Sequence, residues 1–141
     1  MTIRRSVELI KSIREVTDQK GNKDDWISYA GYEIETSKQT IRLLISNEKQ
    51  CCENWGYFMS EDDLESFIGA DLREIVLVDT ALNTKQLDSR AEYGMDEGGL
   101  MFVNLNTDRG TLQFVAYNSH NGYYGHDARV ESEQLSHEVT L

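Results

Sequence analysis

The sequence predicts an α+β domain, a single antiparallel sheet carrying two helices, and three observations predict it. Apolar residues near the N-terminus recur at helical spacing, a serine followed by three acids marks a second helix near residue 61, and the rest is a succession of short β-branched and aromatic runs between turn residues. A chain of 141 residues can bury roughly two-thirds of its unfolded surface. The expectation is therefore one domain over residues 1–141, with an N-terminal helix over 3–17 and a metal-bearing α+β body over 24–133.

Ile3, Val7, Ile10 and Ile13, widened by Leu9 and Val16, form the apolar stripe of the first helix, and Gly21-Asn22 ends it. Residues 26–35 alternate and Thr40 to Ser46 is rich in branched apolar side chains, so two strands meet through Thr36-Ser37-Lys38 as a hairpin. Ser60 supplies a hydroxyl cap and Glu61-Asp62-Asp63 the acidic first turn of a short helix near 61–68. That helix buries Leu64, Phe67 and Ile68 and stops at Gly69. The unbroken run Ile75-Val76-Leu77-Val78 marks residues 72–82 as a central strand, and the polar stretch 83–99 reads as a loop. Thr107-Asp108-Arg109-Gly110 turns a hairpin between strands at 100–106 and 111–117, and a last strand runs from about His126 to Glu133.

The net charge is −11, unevenly spread: residues 1–23 hold six basic side chains against three acidic, and residues 24–141 hold eight against twenty-two. An acidic body repels nucleic acid, because non-specific binding depends on cationic neutralisation of phosphates, so direct nucleic-acid binding is not expected and a partner should be basic. The first sixteen residues lack the unbroken apolar core of a signal peptide and no apolar run approaches membrane-spanning length, which predicts a cytoplasmic protein without a membrane partner.

In a reducing compartment, clustered cysteine and histidine more often bind metal than form bridges. The only cysteines are the adjacent pair Cys51 and Cys52, and two of the three histidines, His120 and His126, flank a glycine- and tyrosine-rich loop. Together they have the number and softness of a closed tetrahedral zinc site, provided the chain bends at Cys51-Cys52, since neighbours in an extended strand face opposite ways. If one cysteine does not bind, Glu53 or Asp127 is the reserve fourth ligand. The plain reading makes one cysteine a small core residue and the histidines ordinary turn and strand residues, but it needs several soft ligands at bends by coincidence. A Cys52/His120 nucleophilic pair lacks an orienting third group. His137 reads as a solvated histidine.

The run Cys51-Cys52-Glu53 with Trp55-Gly56-Tyr57, followed by Phe114 to Asn118 and by His120-Asn121-Gly122-Tyr123-Tyr124-Gly125-His126, resembles a small domain family of Gram-positive bacteria and their phages. The likeness covers roughly residues 44–132. It is similar also to zinc-containing anti-CRISPR proteins of streptococcal prophages that act on type II systems. The resemblance implies a non-enzymatic inhibitor, acting in the host bacterial cell, that binds the type II CRISPR effector nuclease and blocks loading of target DNA, with zinc as a staple. The acidic residues Glu61, Asp62, Asp63, Glu65, Asp96 and Glu97 are then the expected contacts with the positively charged channels of that partner. The alternative is a small zinc-dependent hydrolase or ligand-binding enzyme, in which water replaces one of the four ligands.

Overall fold

The computed structural model describes residues 6–20, 28–47, 54–90, 99–119 and 125–141, and these form nine strands, one α-helix and one 3-10 turn. The strands are β1 (Ile10–Lys20), β2 (Ser28–Thr36), β3 (Thr40–Ser46), β4 (Asn54–Met59), β5 (Leu72–Val78), β6 (Gly99–Thr107), β7 (Gly110–Ser119), β8 (Asp127–Glu131) and β9 (Ser136–Thr140). The helix α1 spans Thr84–Arg90 and the 3-10 turn Leu64–Phe67. The strands make two antiparallel sheets, ordered β1-β2-β3-β8-β9 and β4-β7-β6-β5.

The sheets share one core. Ile34, Ile41, Leu43, Ile45, Ala128 and Val130 of the first pack against Met59, Met101, Val103, Leu105, Leu112, Phe114 and Ala116 of the second. A smaller cluster lies on the outer face of the four-stranded sheet, where Phe58, Phe102, Val115 and Tyr117 are covered by Val78, Ala81, Leu87 and Leu100. Gln113, fully buried on that face, ties the covering segment down: its side chain donates to Thr80 O (2.9 Å) and accepts from Leu82 N (2.9 Å).

This architecture corrects the predicted single sheet with two helices. The segment expected as the N-terminal helix is, from Ile10 onward, the edge strand β1, and the cause is a β-bulge. Ile10 opposes Thr36 but Ser12 opposes Glu35, so one extra residue shifts the pleat, and Ile10 and Ile13, three apart, both turn inward. A second irregularity between Val16 and Gln19 shifts the register again. Bulges thus imitate the three-residue period of a helix, whereas the β-branched composition of Ile10, Ile13, Val16 and Thr17 favours the strand. Residues 3–5 lie outside the described residues.

The second predicted helix shrinks to the 3-10 turn because Ser60 is committed elsewhere. Its amide donates to Gln113 O (2.8 Å) and its hydroxyl accepts from Gln113 N (2.9 Å), so the hydroxyl serves the sheet and not a helix start. No side-chain cap is present at Asp63, and Ile68 is exposed where burial was expected. Gly69 ends the turn at φ +87°, as read, and Arg109 donates to Ser66 O and Ile68 O, both at 2.8 Å, satisfying carbonyls there.

Three smaller corrections follow. The apolar run in β5 reflects cover on both faces, Leu77 toward the main core and Val78 toward the small one, in a strand that is an edge and not central. The expected loop 83–99 begins with α1, and the strand expected from about His126 to Glu133 is β8, after which β9 adds a strand that was not expected. The hairpins β2–β3 and β6–β7 lie where the turn residues placed them.

Candidate binding cleft and the His126 pocket

β1 and β4 are edge strands of different sheets, and a cleft of about 470 Å3 opens beside them. Its floor is the consecutive run Trp55, Gly56, Tyr57, Phe58 and Met59 of β4, joined by Tyr32 and Tyr117. Among the described residues the carboxylates of Glu15, Glu61 and Asp62 line it, against the single cation Arg90. Period-two alternation sends Tyr57 to the core side, edge-on to Tyr32 (centroids 5.8 Å, planes at 88°), and Phe58 to the outer side, beneath the Arg90 guanidinium (5.4 Å). Gly56 makes room here: a Cβ would come within 2.6 Å of the Tyr117 hydroxyl, and the Tyr117 ring would have to shift.

The Tyr57 hydroxyl donates to the Glu15 carboxylate, linking the two sheet edges. Burial first, then this hydrogen bond and the Glu15 charge, push the Tyr57 phenol far above its ordinary range. Tyr32 is raised by burial and by the same charge. The ring pair therefore faces the cleft as neutral phenols with a carboxylate beside them.

His126 is 1% exposed. Its ring stacks on Trp55 (centroids 4.9 Å, planes at 27°) and its Nδ1 lies 2.7 Å from Ser46 O. A carbonyl can only accept, so Nδ1 carries the proton and, in the neutral ring, the lone pair is on Nε2. That is the tautomer of a ligating histidine oriented by a backbone carbonyl. Asp127, the reserve ligand, is otherwise engaged: its Oδ2 accepts from the Tyr29 hydroxyl (2.7 Å) and from Arg129 Nε (2.8 Å). Arg129 in turn lies over the Tyr29 ring at 4.8 Å, and burial with the Asp127 bond raises the Tyr29 phenol far above its ordinary range.

Cys51, Cys52, Glu53 and His120 lie outside the described residues, and among the described residues no group of three or more His, Cys, Asp or Glu could hold a metal. The described ends of the segments do converge. Asn54, two residues after Cys52, pairs with Ser119, the residue before His120, and the next residue, Trp55, carries the His126 ring.

Of the predicted contacts, Asp96 and Glu97 lie outside the described residues. Glu61, Asp62, Asp63 and Glu65 are all exposed, but only Glu61 and Asp62 line the cleft. Trp55, Tyr57 and Tyr117 are not among the expected site residues, and Glu15 falls in the segment expected as a helix. The alternation of β4 could have revealed them, but only a two-sheet fold brings Glu15 beside Tyr57. His137 is exposed, as expected.

Two antiparallel sheets closed on one core, with an acid-lined aromatic cleft at neighbouring edges, define a β-rich domain built around an edge cleft. A family model described as a domain of unknown function (DUF7448) matches residues 6–130, and the chain belongs to that family. No curated protein and no solved structure matches it. Among the described residues no helix is long and apolar enough to cross a membrane.

Proposed function

We propose that this protein is a non-enzymatic binding module for a basic protein partner, with a structural zinc held by Cys51, Cys52, His120 and His126. The observation that carries it is the cleft, where among the described residues three carboxylates and one guanidinium line an aromatic floor. Carboxylates attract lysine and arginine, and an aromatic face adds a cation–π contribution of about 0.5–2 kcal/mol depending on exposure. The net charge of −11 steers the same class of partner over longer range.

The partner to test first is the guide-loaded type II CRISPR effector nuclease in the host bacterial cytoplasm, whose channels are positively charged. What supports that choice is charge complementarity together with the resemblance at the Cys51-Cys52 and His120–His126 segments. Pull-down followed by a target-DNA binding assay across salt should show capture, loss of DNA loading, and weakening as salt rises. No capture at low salt removes this partner. The metal is supported by the convergence of the three segments at Asn54, Ser119 and the His126 ring. Metal analysis should return one zinc per chain, and a chelator should lower the melting temperature. Metal-free protein with an unchanged melting curve removes the zinc.

A further inference from the structure

We infer that the open edge of β4 receives an extended, lysine- or arginine-bearing peptide segment as an added strand. The inference rests on the reading that the partner is basic, and it names the form that partner takes in the cleft.

β4 ends its sheet, and among the described residues no strand pairs with its other side. The phase of its backbone is set by the bond from Ser60 N to Gln113 O (2.8 Å), which turns Ser60 toward β7. In an antiparallel ladder alternate residues share a direction, so Phe58 and Gly56 also face β7, while Trp55, Tyr57 and Met59 direct N–H and C=O to the open side. Those groups are a template for one more strand. The cleft follows the edge: it is lined by five consecutive residues, 55 to 59, about 17 Å of strand at ~3.3 Å per residue.

The two walls differ, and this sets the pattern of the incoming chain. Side chains of an added strand alternate between the core side, which presents Glu15 beside the Tyr32 and Tyr57 rings, and the outer side, where Arg90 already covers Phe58. Basic residues therefore suit every second position, with uncharged residues between them. Glu61 and Asp62 add negative charge just beyond Met59, where β4 ends. A second copy of this chain is a poor occupant, because pairing β4 with β4 draws the carboxylates of two chains of net charge −11 together.

The test titrates the 15N-labelled full chain with three nine-residue peptides: alternating lysine and threonine, the same peptide N-methylated along one backbone edge, and a version with glutamate in place of lysine. Expected are slowed exchange at the Trp55, Tyr57 and Met59 amides with the lysine peptide, binding weaker by about tenfold or more for the N-methylated form, and no binding of the glutamate form. The double variant Glu61→Lys/Asp62→Lys, at exposed positions that leave the fold intact, should also weaken the lysine peptide. Equal affinity of the parent and N-methylated peptides, or unchanged exchange at those three amides, overturns the added strand. So does protection that rises with protein concentration alone, which marks a second copy as the occupant. If basic proteins are still captured while the β4 amides stay unchanged, this inference fails and the binding-module reading stands. If neither peptide nor basic protein binds, both fail.

Discussion

At Ser60 one side chain decides what kind of structure follows. A hydroxyl before three acids is a cap signal, but the buried Gln113 amide takes that hydroxyl, and the helix reduces to a single 3-10 turn. Ser60→Ala should cost about 1–3 kcal/mol, because the Gln113 N–H is left buried without its acceptor, and chemical denaturation of both proteins checks it. A surface cap lost to alanine in a helix that the sheet does not need would cost less. The tyrosines give a second residue-scale expectation. Tyr29 and Tyr57 have phenols raised above the ordinary value of 10.0, by burial first and then by bonds to Asp127 and Glu15. Because the folded state favours the protonated phenol, this stability is complete below about pH 10 and is lost as pH rises above it. Titration at 295 nm should show these two phenols ionising only with alkaline unfolding. Tyr57→Phe should lessen the alkaline loss; seven tyrosines titrating together near pH 10 in folded protein would contradict the assignment.

At the scale of elements, Gln113 does for α1 what Ser60 does for β4. It is fully buried and bonds to Thr80, Leu82 and Asn104, so the segment leading into α1 is pinned to the outer sheet face before Leu87 adds apolar cover. Gln113→Ala should lower stability by about 2–4 kcal/mol and speed amide exchange in Thr84–Arg90 more than in β2. Equal exchange in both elements would show that α1 is held by packing alone. The hairpins were readable because turn chemistry and alternation are local properties of the chain. β1 was not, because a bulge makes an inward pair three residues apart look helical, and only its partner strand reveals the shift. The position of β5 was misread for a related reason: an apolar run reports cover on two faces and says nothing about hydrogen-bonded neighbours.

Across the whole molecule, the acidic balance visible in composition acquires a place. Glu15 comes from the segment read as a basic helix, yet it sits beside Tyr57 of the other sheet, so the cleft exists only once both sheets close. Of the six acids first expected to touch a partner, Glu61 and Asp62 reach that cleft, whereas on the outer face of the five-stranded sheet several charges pair with one another, as in the Arg14–Glu33 pair (2.6 Å) and the Arg129–Asp127 pair (2.8 Å). The soft ligands are legible only as a set of residue types. Geometry adds the His126 tautomer and the meeting of Asn54 with Ser119. If zinc is the staple, His126→Ala should lower both zinc content and melting temperature, and a loss of stability with zinc content unchanged would assign the histidine to packing against Trp55 alone. The most direct test of the acid-lined cleft is chemical-shift mapping of the full chain titrated with oligolysine at low and high salt. The account predicts shifts concentrated at Tyr32, Trp55–Met59, Glu61, Asp62 and Arg90 that fade as salt rises; shifts of equal size at Glu131, Glu133 and Glu138 would contradict it.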